Sequence, residues 1–240
     1  MSLKIALLGY GKMGKELERI AIERGHEIVI KVDSESDWLE NSIDLQIADV
    51  ALEFTTPGTV INNLYKCFES SIPVVCGTTG WISQFDEISK VCIERNQSLF
   101  YGSNFSISVN IFFEINKMLA RLMNEFGEYD VNIEEIHHLT KIDAPSGTAI
   151  VLANDIITNM ERMEKWSDNA QKSGEIAIKS VREENVPGTH VVTYESAHDS
   201  IEIRHTAKSR RGFALGAIMA AEFLHGKKGV FTMKDLLNLR

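Results

Sequence analysis

The chain has 240 residues, of which 44% are hydrophobic and 25% are charged, a composition typical of globular proteins rather than disordered or fibrous ones. Its formal net charge of −9 disfavours binding to nucleic acid or to anionic membrane surfaces. No apolar run in the sequence approaches the length of a membrane span, and the three cysteines lack metal-ligand spacing and suit a reducing compartment. We therefore expect a cytoplasmic protein that binds neither nucleic acid nor membrane.

The first part of the chain alternates short apolar runs with segments of helical periodicity. Strands are predicted at residues 4–8, 27–32, 50–54, 74–76 and 99–101, with helices between them. This alternation is typical of βαβ units, in which helices connect parallel strands. It predicts an α/β fold with a doubly wound parallel sheet.

The pattern changes after residue 104. Two helices are predicted at residues 108–126 and 148–165. Three strands follow, at residues 175–182, 189–194 and 200–206, and we expect them to form an antiparallel meander.

The chain closes with a predicted helix at residues 213–224 and a short helix whose first turn Thr232 and Asp235 would cap. We expect these last helices to rejoin the first domain. The prediction is therefore a domain of residues 1–104 completed by residues 213–240, and a second, mixed α/β domain of residues 105–212.

A glycine-rich motif lies between the first predicted strand and the first predicted helix. Gly9, Gly11 and Gly14 form the pattern GxGxxG, and Asp33 follows at the end of the second predicted strand. Glycines at this spacing permit a tight turn, approach of a pyrophosphate to the backbone, and close packing of helix on strand, while the acid can bind the adenosine ribose. The motif predicts a Rossmann-type dinucleotide site. Its loop also contains Tyr10, Lys12 and Met13.

Two further loops lie where later strands end. Phe54 and Thr55 close the third predicted strand, and Gly77, Thr78 and Thr79 follow the fourth. Because ligands of open α/β sheets bind at the carboxyl ends of the strands, we expect these five residues to contact the cofactor.

A Ser-Gly-Thr turn precedes the second helix of the later part of the chain. Ser146, Gly147 and Thr148 would supply hydroxyl groups and free backbone N–H groups at the start of that helix. Such a helix start binds carboxylates and phosphates, so we expect an anionic substrate there.

Two adjacent histidines and a lysine precede that turn. His137 and His138 lie next to each other on a predicted strand and point to opposite faces, so we expect them to have different roles and to bind no metal together. A histidine can donate a proton near neutral pH, and Lys141 can neutralise developing negative charge or deliver a proton. For four other histidines we expect packing roles: His190, His198, His205 and His225. A serine hydrolase is disfavoured because the chain has no GxSxG motif.

The sequence is similar to the dihydrodipicolinate reductases over nearly its whole length. The shared motifs are the glycine motif, Glu53-Phe54-Thr55, Gly77-Thr78-Thr79-Gly80, Ser103-Asn104-Phe105-Ser106, the His-His-x-x-Lys-x-Asp-Ala-Pro-Ser-Gly-Thr-Ala block that begins at His137, and Arg210 with Phe213-Ala214 and Gly216-Ala217. The long block is specific, whereas the glycine motif alone is not. The chain departs from the family at Ser108, where glycine is usual, and in a short stretch after the second strand that leaves less room for a helix.

The resemblance implies a reductase that passes hydride from NADH or NADPH to 4-hydroxy-tetrahydrodipicolinate and forms tetrahydrodipicolinate, in the diaminopimelate route to lysine. It implies that His137 and Lys141 are the catalytic pair and that the protein is a homotetramer. The residues it assigns to the substrate are His138, Ser146, Gly147, Thr148 and Arg210. The further residues it assigns to the cofactor are Gly102, Ser103, Asn104 and Phe105.

The cofactor preference follows from the residue after Asp33. Ser34 stands where the family often places an arginine able to pair with the 2′-phosphate of NADPH. Since the neighbouring acid repels that phosphate, we expect NADH to be preferred.

Two alternative functions compete with this interpretation. Another reductase of similar layout, such as an aspartate or homoserine dehydrogenase, would share the dinucleotide site but would not explain the His-His-x-x-Lys block. A non-catalytic redox sensor that binds NADH would share it too, but intact His137 and Lys141 argue against a sensor.

Overall fold

The computed structural model describes residues 2–40, 45–168 and 173–239. The chain forms two compact units, one of Met1–Ile107 with Arg210–Arg240 and one of Ser108–Ser209. The first unit extends slightly beyond residue 104 because the buried Phe105 belongs to its hydrophobic core.

The secondary-structure elements are numbered in chain order. The strands are β1 (Lys4–Leu8), β2 (Glu27–Val32), β3 (Val50–Glu53), β4 (Val74–Cys76), β5 (Ser98–Tyr101), β6 (Asp130–His137), β7 (Lys165–Ser167), β8 (Glu175–Arg182), β9 (Gly188–Glu195), β10 (Ser200–Ala207) and β11 (Gly229–Phe231). The helices are α1 (Lys12–Glu23), α2 (Glu35–Glu40), α3 (Val60–Glu69), α4 (Phe85–Glu94), α5 (Ile107–Met123), α6 (Gly147–Asn159), α7 (Arg211–Leu224) and α8 (Met233–Leu237). No helix within the described ranges is both long enough and apolar enough to cross a membrane.

The first unit contains a six-stranded parallel sheet in the order β11-β5-β4-β3-β1-β2. Alternate residues of β1 face opposite sides: Ile5 and Leu7 join a cluster with α1 and α7, whereas Ala6 and Leu8 join a cluster with α3 and α4. The predicted doubly wound parallel sheet is therefore confirmed. The three-residue strand β11 is an addition to the predicted elements.

The second unit contains a five-stranded mixed sheet in the order β10-β9-β6-β8-β7. Helices α5 and α6 cover one face, where Phe112 and Leu152 pack with Ile133 and Val192. The predicted antiparallel meander is wrong for β8, because β6 lies between β8 and β9 and pairs parallel with β8 and antiparallel with β9. This insertion places Arg182 beside His137, which a meander would separate.

The helices of the second unit differ from their predicted bounds. The predicted helix at 148–165 ends at Asn159 because Met160 takes an extended backbone, and the short strand β7 follows. Ser108 is an ordinary residue of α5, so its departure from the family pattern leaves the helix intact.

The first unit contains one helix more than the sequence predicts in the short stretch after β2. In the short stretch after β2, where little room was expected, the six-residue helix α2 forms. The predicted cap of α8 is confirmed, since the Thr232 N–H donates to the Asp235 carboxylate over 2.7 Å.

Helix α7 packs against the segment after β5 so closely that only glycine fits at Gly216. A Cβ atom there would overlap the carbonyl oxygen of Phe105. We predict that Gly216→Ala lowers the free energy of unfolding by about 1–3 kcal/mol, the usual cost of overpacking. Gly212→Ala, on the same helix but with the nearest atom 4.0 Å from the added carbon, is the matched control and should be neutral or slightly stabilising. Urea unfolding of both variants measures the difference, and equal destabilisation would contradict the prediction.

Candidate active site

The glycine loop connects β1 to α1 at the carboxyl edge of the parallel sheet. A Cβ atom on Gly14 would overlap the carbonyl oxygen of Gly9, so this glycine lets the helix approach the strand. Gly11, by contrast, is exposed and a Cβ atom there would meet nothing within 4 Å. The open space lies beside the N-terminus of α1, where backbone N–H groups and the helix dipole favour a phosphate.

Asp33 and Asp37 organise the turn after β2. An oxygen of Asp33 accepts the N–H of Tyr10 over 3.0 Å, which ties this acid to the glycine loop. One oxygen of Asp37 accepts the N–H groups of Asp33 and Ser34 over 2.7 and 2.8 Å. These backbone hydrogen bonds hold the pKa of Asp37 below its usual value.

A first cavity of about 300 Å³ opens at the point where the strand order reverses between β1 and β3. This is the position at which open α/β sheets bind ligands. Its lining includes Gly9, Gly11, Asp33, Ser34 and Thr55, together with Trp38, which sequence reasoning missed. Lys66 lies 4.0 Å from the centre of the Trp38 ring.

A second cavity of about 320 Å³ brings together residues from three loops and two helices of the first unit. The predicted cofactor residues that line it are Met13, Phe54, Thr55, Gly77, Thr78, Thr79, Ser103, Asn104 and Phe105. Of the other predicted residues, Lys12 is exposed, Tyr10 is half-buried, and Gly102 is buried. The two cavities and the open space at Gly11 fit an extended dinucleotide.

A buried carboxylate supports the Thr55 loop. Glu53 is 0% exposed and accepts the hydroxyl of Thr55, the amide of Asn63 over 3.2 Å and the thiol of Cys76 over 3.4 Å. The backbone N–H of Thr55 donates to the hydroxyl of Thr78 over 2.8 Å. The two loops are therefore held together by side chains beneath them.

In the second unit, His137 ends β6 and is buried, whereas His138 is half-buried. Nδ1 of His138 lies 2.9 Å from the hydroxyl of Thr140. Lys141 donates to both carboxylate oxygens of Asp143 over 2.8 Å.

Arg182 of β8 holds this loop by its backbone. Its guanidinium donates to the carbonyl oxygens of Asp143 over 2.7 Å and of Lys141 over 3.3 Å. Sequence reasoning missed Arg182, because its place beside His137 depends on the pairing of β8 with β6.

The predicted substrate residues at the start of α6 differ in their exposure. Ser146 is 3% exposed, and its hydroxyl accepts the N–H of Ala149 over 3.2 Å and lies 3.1 Å from Nε2 of His190. Its side chain therefore caps the helix from the inside. Gly147 is exposed and Thr148 half-exposed, so the first turn of α6 offers these two residues to a ligand.

A buried carboxylate also lies beneath this turn. Both oxygens of Glu135 accept the N–H of Ser146 over 3.0 Å, and one accepts the hydroxyl of Ser180 over 2.7 Å. Burial raises the pKa of Glu135, but the hydrogen bonds from Ser146 and Ser180 outweigh it, so the pKa lies below its usual value. Glu135 is ionised at neutral pH.

Two histidines face Glu135. Nδ1 of His137 lies 3.6 Å and Nε2 of His190 lies 3.7 Å from the same carboxylate oxygen. Burial lowers the pKa of His137, against the charge of Glu135, and burial with the neighbouring His137 lowers the pKa of His190 to about 3. The three groups lie within 4.8 Å of one another, but the carboxylate oxygens already accept hydrogen bonds and Arg182 lies 3.7 Å away, so we interpret the group as a polar network and not as a metal site.

Arg210 does not belong to the unit that contains His137. It is exposed and precedes α7 in the first unit.

A parallel sheet with a glycine loop and a cavity where its strand order reverses defines the class of Rossmann-type dinucleotide-binding enzymes. Residues 3–105 match the family model described as the N-terminus of dihydrodipicolinate reductase, and residues 108–237 match the model of its C-terminus. The chain therefore belongs to the dihydrodipicolinate reductase family of NAD(P)H-dependent oxidoreductases.

Individual relatives agree with this family. The chain is 50% identical over 238 residues to the 4-hydroxy-tetrahydrodipicolinate reductase of Christiangramia forsetii, with 98% of both chains covered. It is 31% identical over 272 residues to the enzyme of the same name from Neisseria meningitidis serogroup B, with 99% of this chain and 98% of the relative covered.

Solved structures share the fold. The dipicolinate-bound dihydrodipicolinate reductase from Paenisporosarcina sp. TG-14 superposes with a TM-score of 0.77 at 23% identity over 100% of both chains. An amine dehydrogenase from Mycobacterium smegmatis superposes with a TM-score of 0.60 at 10% identity over 97% of this chain and 95% of the other. Because two enzymes of different names share the architecture, the fold alone does not identify the reaction.

Proposed function

We propose that the chain catalyses the reduction of 4-hydroxy-tetrahydrodipicolinate to tetrahydrodipicolinate, in the diaminopimelate route to lysine, in which NAD(P)H and a proton are consumed and the 4-hydroxyl group leaves as water. The observation that carries the proposal is the 50% identity to a 4-hydroxy-tetrahydrodipicolinate reductase across nearly the whole of both chains. The described cysteines are free and buried, which suits a reducing cytoplasm as the site of this activity.

The substrate of this reaction is a small dicarboxylate, and the second unit offers groups suited to it. The N–H groups in the first turn of α6, at Gly147 and Thr148, would donate to one carboxylate, with His138 as a further donor. The hydroxyl of the buried Ser146 is already engaged in capping α6. Ser146 would therefore contribute to the site by fixing the start of the helix. Arg210 is a candidate partner for a carboxylate, supported by its charge and exposure.

His137 and Lys141 are proposed to neutralise the negative charge that develops on the substrate during the reaction. The nicotinamide supplies the hydride when it is bound, and the negative charge that then develops on the substrate must be quenched by a proton donor. Lys141 provides a cation held by Asp143. The pKa of His137 is lowered in the free protein, and a dianionic substrate nearby would raise it, so that His137 takes up a proton as the substrate binds.

We predict that His137→Ala and Lys141→Ala each lower kcat by roughly a hundredfold or more, the range of general acid catalysis. NADH binding should be nearly unchanged, because both cavities are lined by residues of the first unit only. Thr148→Val and His138→Ala should chiefly raise the substrate KM. The measurement is loss of NADH absorbance with freshly generated substrate, paired with NADH titration and a melting curve for each variant.

The wild-type result of the same assay tests the proposed function. Binding of NADH without turnover would favour a redox sensor instead. A folded His137→Ala/Lys141→Ala double variant with nearly wild-type kcat would end the catalytic assignment.

NADH is the proposed preferred cofactor. Ser34 and Asp33 line the first cavity, and the N–H groups of both residues are already occupied by the carboxylate of Asp37. A 2′-phosphate at this turn would meet two carboxylates and no free backbone donors from these residues. Both effects oppose NADPH.

We predict a higher kcat/KM with NADH than with NADPH for the wild type. Ser34→Arg/Asp37→Asn should shift the ratio towards NADPH by about tenfold or more, because an arginine–phosphate pair adds a charge-assisted hydrogen bond. Ser36→Arg/Asp37→Asn is the matched control, since it makes the same change of charge but places the arginine on α2, at a residue that does not line the cavity. An NADPH preference of about tenfold in the wild type would contradict this assignment.

A homotetramer is proposed from two surfaces of the second unit. β10 forms an edge of the five-stranded sheet. On α5, a stripe of apolar side chains at helical spacing is 39–61% exposed: Ile111, Ile115, Met118 and Leu122. Two different self-complementary interfaces generate a tetramer with two-fold axes.

We predict a tetrameric mass in solution. Light scattering at micromolar concentration measures it. A monomer under these conditions would refute the proposal. Met118→Glu should weaken the assembly by placing a charge in an apolar contact, whereas Lys117→Glu is the control, because Lys117 lies on a neighbouring face and pairs with Glu114.

A further inference from the structure

The second unit contains a carboxylate that the proposed reaction leaves without a role. The geometry points to Glu135 as a positioning residue that fixes the His137 ring and the first turn of α6 relative to each other, so that the proton donor and the carboxylate site act on one substrate. This inference rests on the proposed function. It assigns Glu135 no contact with substrate.

The alternation of β6 determines where Glu135 points. Glu135 and His137 are separated by one residue and share the buried face of the strand, whereas Glu134 points to the other face. The side chain of Glu135 is completely buried. Glu134 is partly exposed and accepts Lys179 over 2.7 Å.

One end of the connection is the start of α6. Both oxygens of Glu135 accept the N–H of Ser146, each over 3.0 Å, and Ser146 is the residue that caps the helix. The N–H before the first turn is therefore fixed by a charged acceptor, and charge-assisted hydrogen bonds are the stronger kind. Movement of the carboxylate would move Gly147 and Thr148 with it.

The other end of the connection is the His137 ring. Nδ1 of His137 is buried, makes no hydrogen bond within the described part of the chain, and lies 3.6 Å from Oε2 of Glu135. A buried imidazole nitrogen facing an ionised carboxylate holds its proton on that nitrogen, which fixes the tautomer and leaves Nε2 for chemistry.

Charged side chains from the elements that pack on His137 act on the protonation of its ring. Glu135 of β6 and Asp143 of the following loop favour the protonated ring, whereas Lys141 of the loop and Arg182 of β8 oppose it. His190 of β9 contacts the ring edge-to-face, with ring centres 5.0 Å apart, and its lowered pKa keeps it neutral. Of the four charged groups, Glu135 is the one that also accepts the N–H at the start of α6, where the neutral His190 contacts the hydroxyl of Ser146.

The test compares Glu135→Gln with Glu134→Gln, an equal change of charge on the neighbouring residue. Removal of the Glu135 charge lowers the pKa of His137. As the pH is raised, activity that needs the protonated ring is therefore lost at a lower pH than in the wild type. We expect Glu135→Gln to lower kcat by about tenfold or more and to move the alkaline limb of its pH profile to lower pH, as loss of a carboxylate behind a functional histidine does. Glu135→Asp, which retains the charge, should keep the limb near its wild-type position, and Glu134→Gln should match the wild type.

A measurement without activity separates this inference from the proposed function. NMR titration of the ring protons of His137, assigned with His137→Gln, should report a lower pKa in Glu135→Gln. If the wild type lacks reductase activity but this shift occurs, the proposed function fails while the Glu135–His137 coupling holds. If the wild type is active and Glu135→Gln matches Glu134→Gln in kinetics and titration, the inference is overturned alone.

Two further measurements keep the inference testable if Glu135→Gln does not fold. Ser180→Ala removes one hydrogen bond that stabilises the ionised form of Glu135. As the pH is lowered, activity should therefore be lost at a higher pH than in the wild type. An unchanged acid limb of the pH profile contradicts the inference. Wild-type activity should also persist in the presence of EDTA. Loss of activity in EDTA would indicate that Glu135 and the two histidines form a metal site and not a polar network.

Discussion

The interior of the second unit holds a carboxylate that is entirely removed from water, and an ionised group in that position is costly unless each neighbour supplies a partner. Glu135 receives hydrogen bonds from two elements, through the N–H at the start of α6 and Ser180 of β8, and its carboxylate faces the ring nitrogen of His137 at 3.6 Å. This is possible only with β6 in the middle of the sheet. A slip of one residue in the register would turn Glu135 to the opposite face and leave these groups without their acceptor.

The first unit uses the same device at a different place. Glu53 lies at the end of β3, is equally buried, and is satisfied by the side chains of Thr55, Asn63 and Cys76. In both units a buried glutamate near the end of a strand accepts hydrogen bonds from a polar segment that follows the strand. Loops at ligand sites are usually mobile, and a hydrogen-bond acceptor beneath them reduces the conformational freedom that a ligand would otherwise have to remove.

Local sequence signals predict the parallel sheet well, since alternation and glycine spacing are properties of short segments. The His-His-x-x-Lys block is equally visible because its members are close in sequence. Arg182, His190 and Trp38 are not visible in this way, since each reaches its site through strand pairing or through a turn whose path no local pattern specifies. The same limit explains the error in the predicted meander: three consecutive strands suggest neighbours, and no local pattern shows that β6 lies between two of them. Ser146 illustrates a subtler gap, because its hydroxyl suits either a ligand or a helix cap, and the two choices look identical in sequence.

The first unit is made of two separate stretches of chain, with the whole of the second unit between them. Its last stretch is indispensable to its core: α7 supplies six buried residues to the cluster beneath β1, and β11 completes the edge of the sheet. During synthesis from the N-terminus, residues up to Ile107 therefore leave the ribosome without the helix and strand that cover them. The second unit, by contrast, is complete as soon as residue 209 emerges. The inserted unit can thus fold before the one that encloses it in sequence, and the newborn N-terminal segment is the part of the chain that has most need of a chaperone.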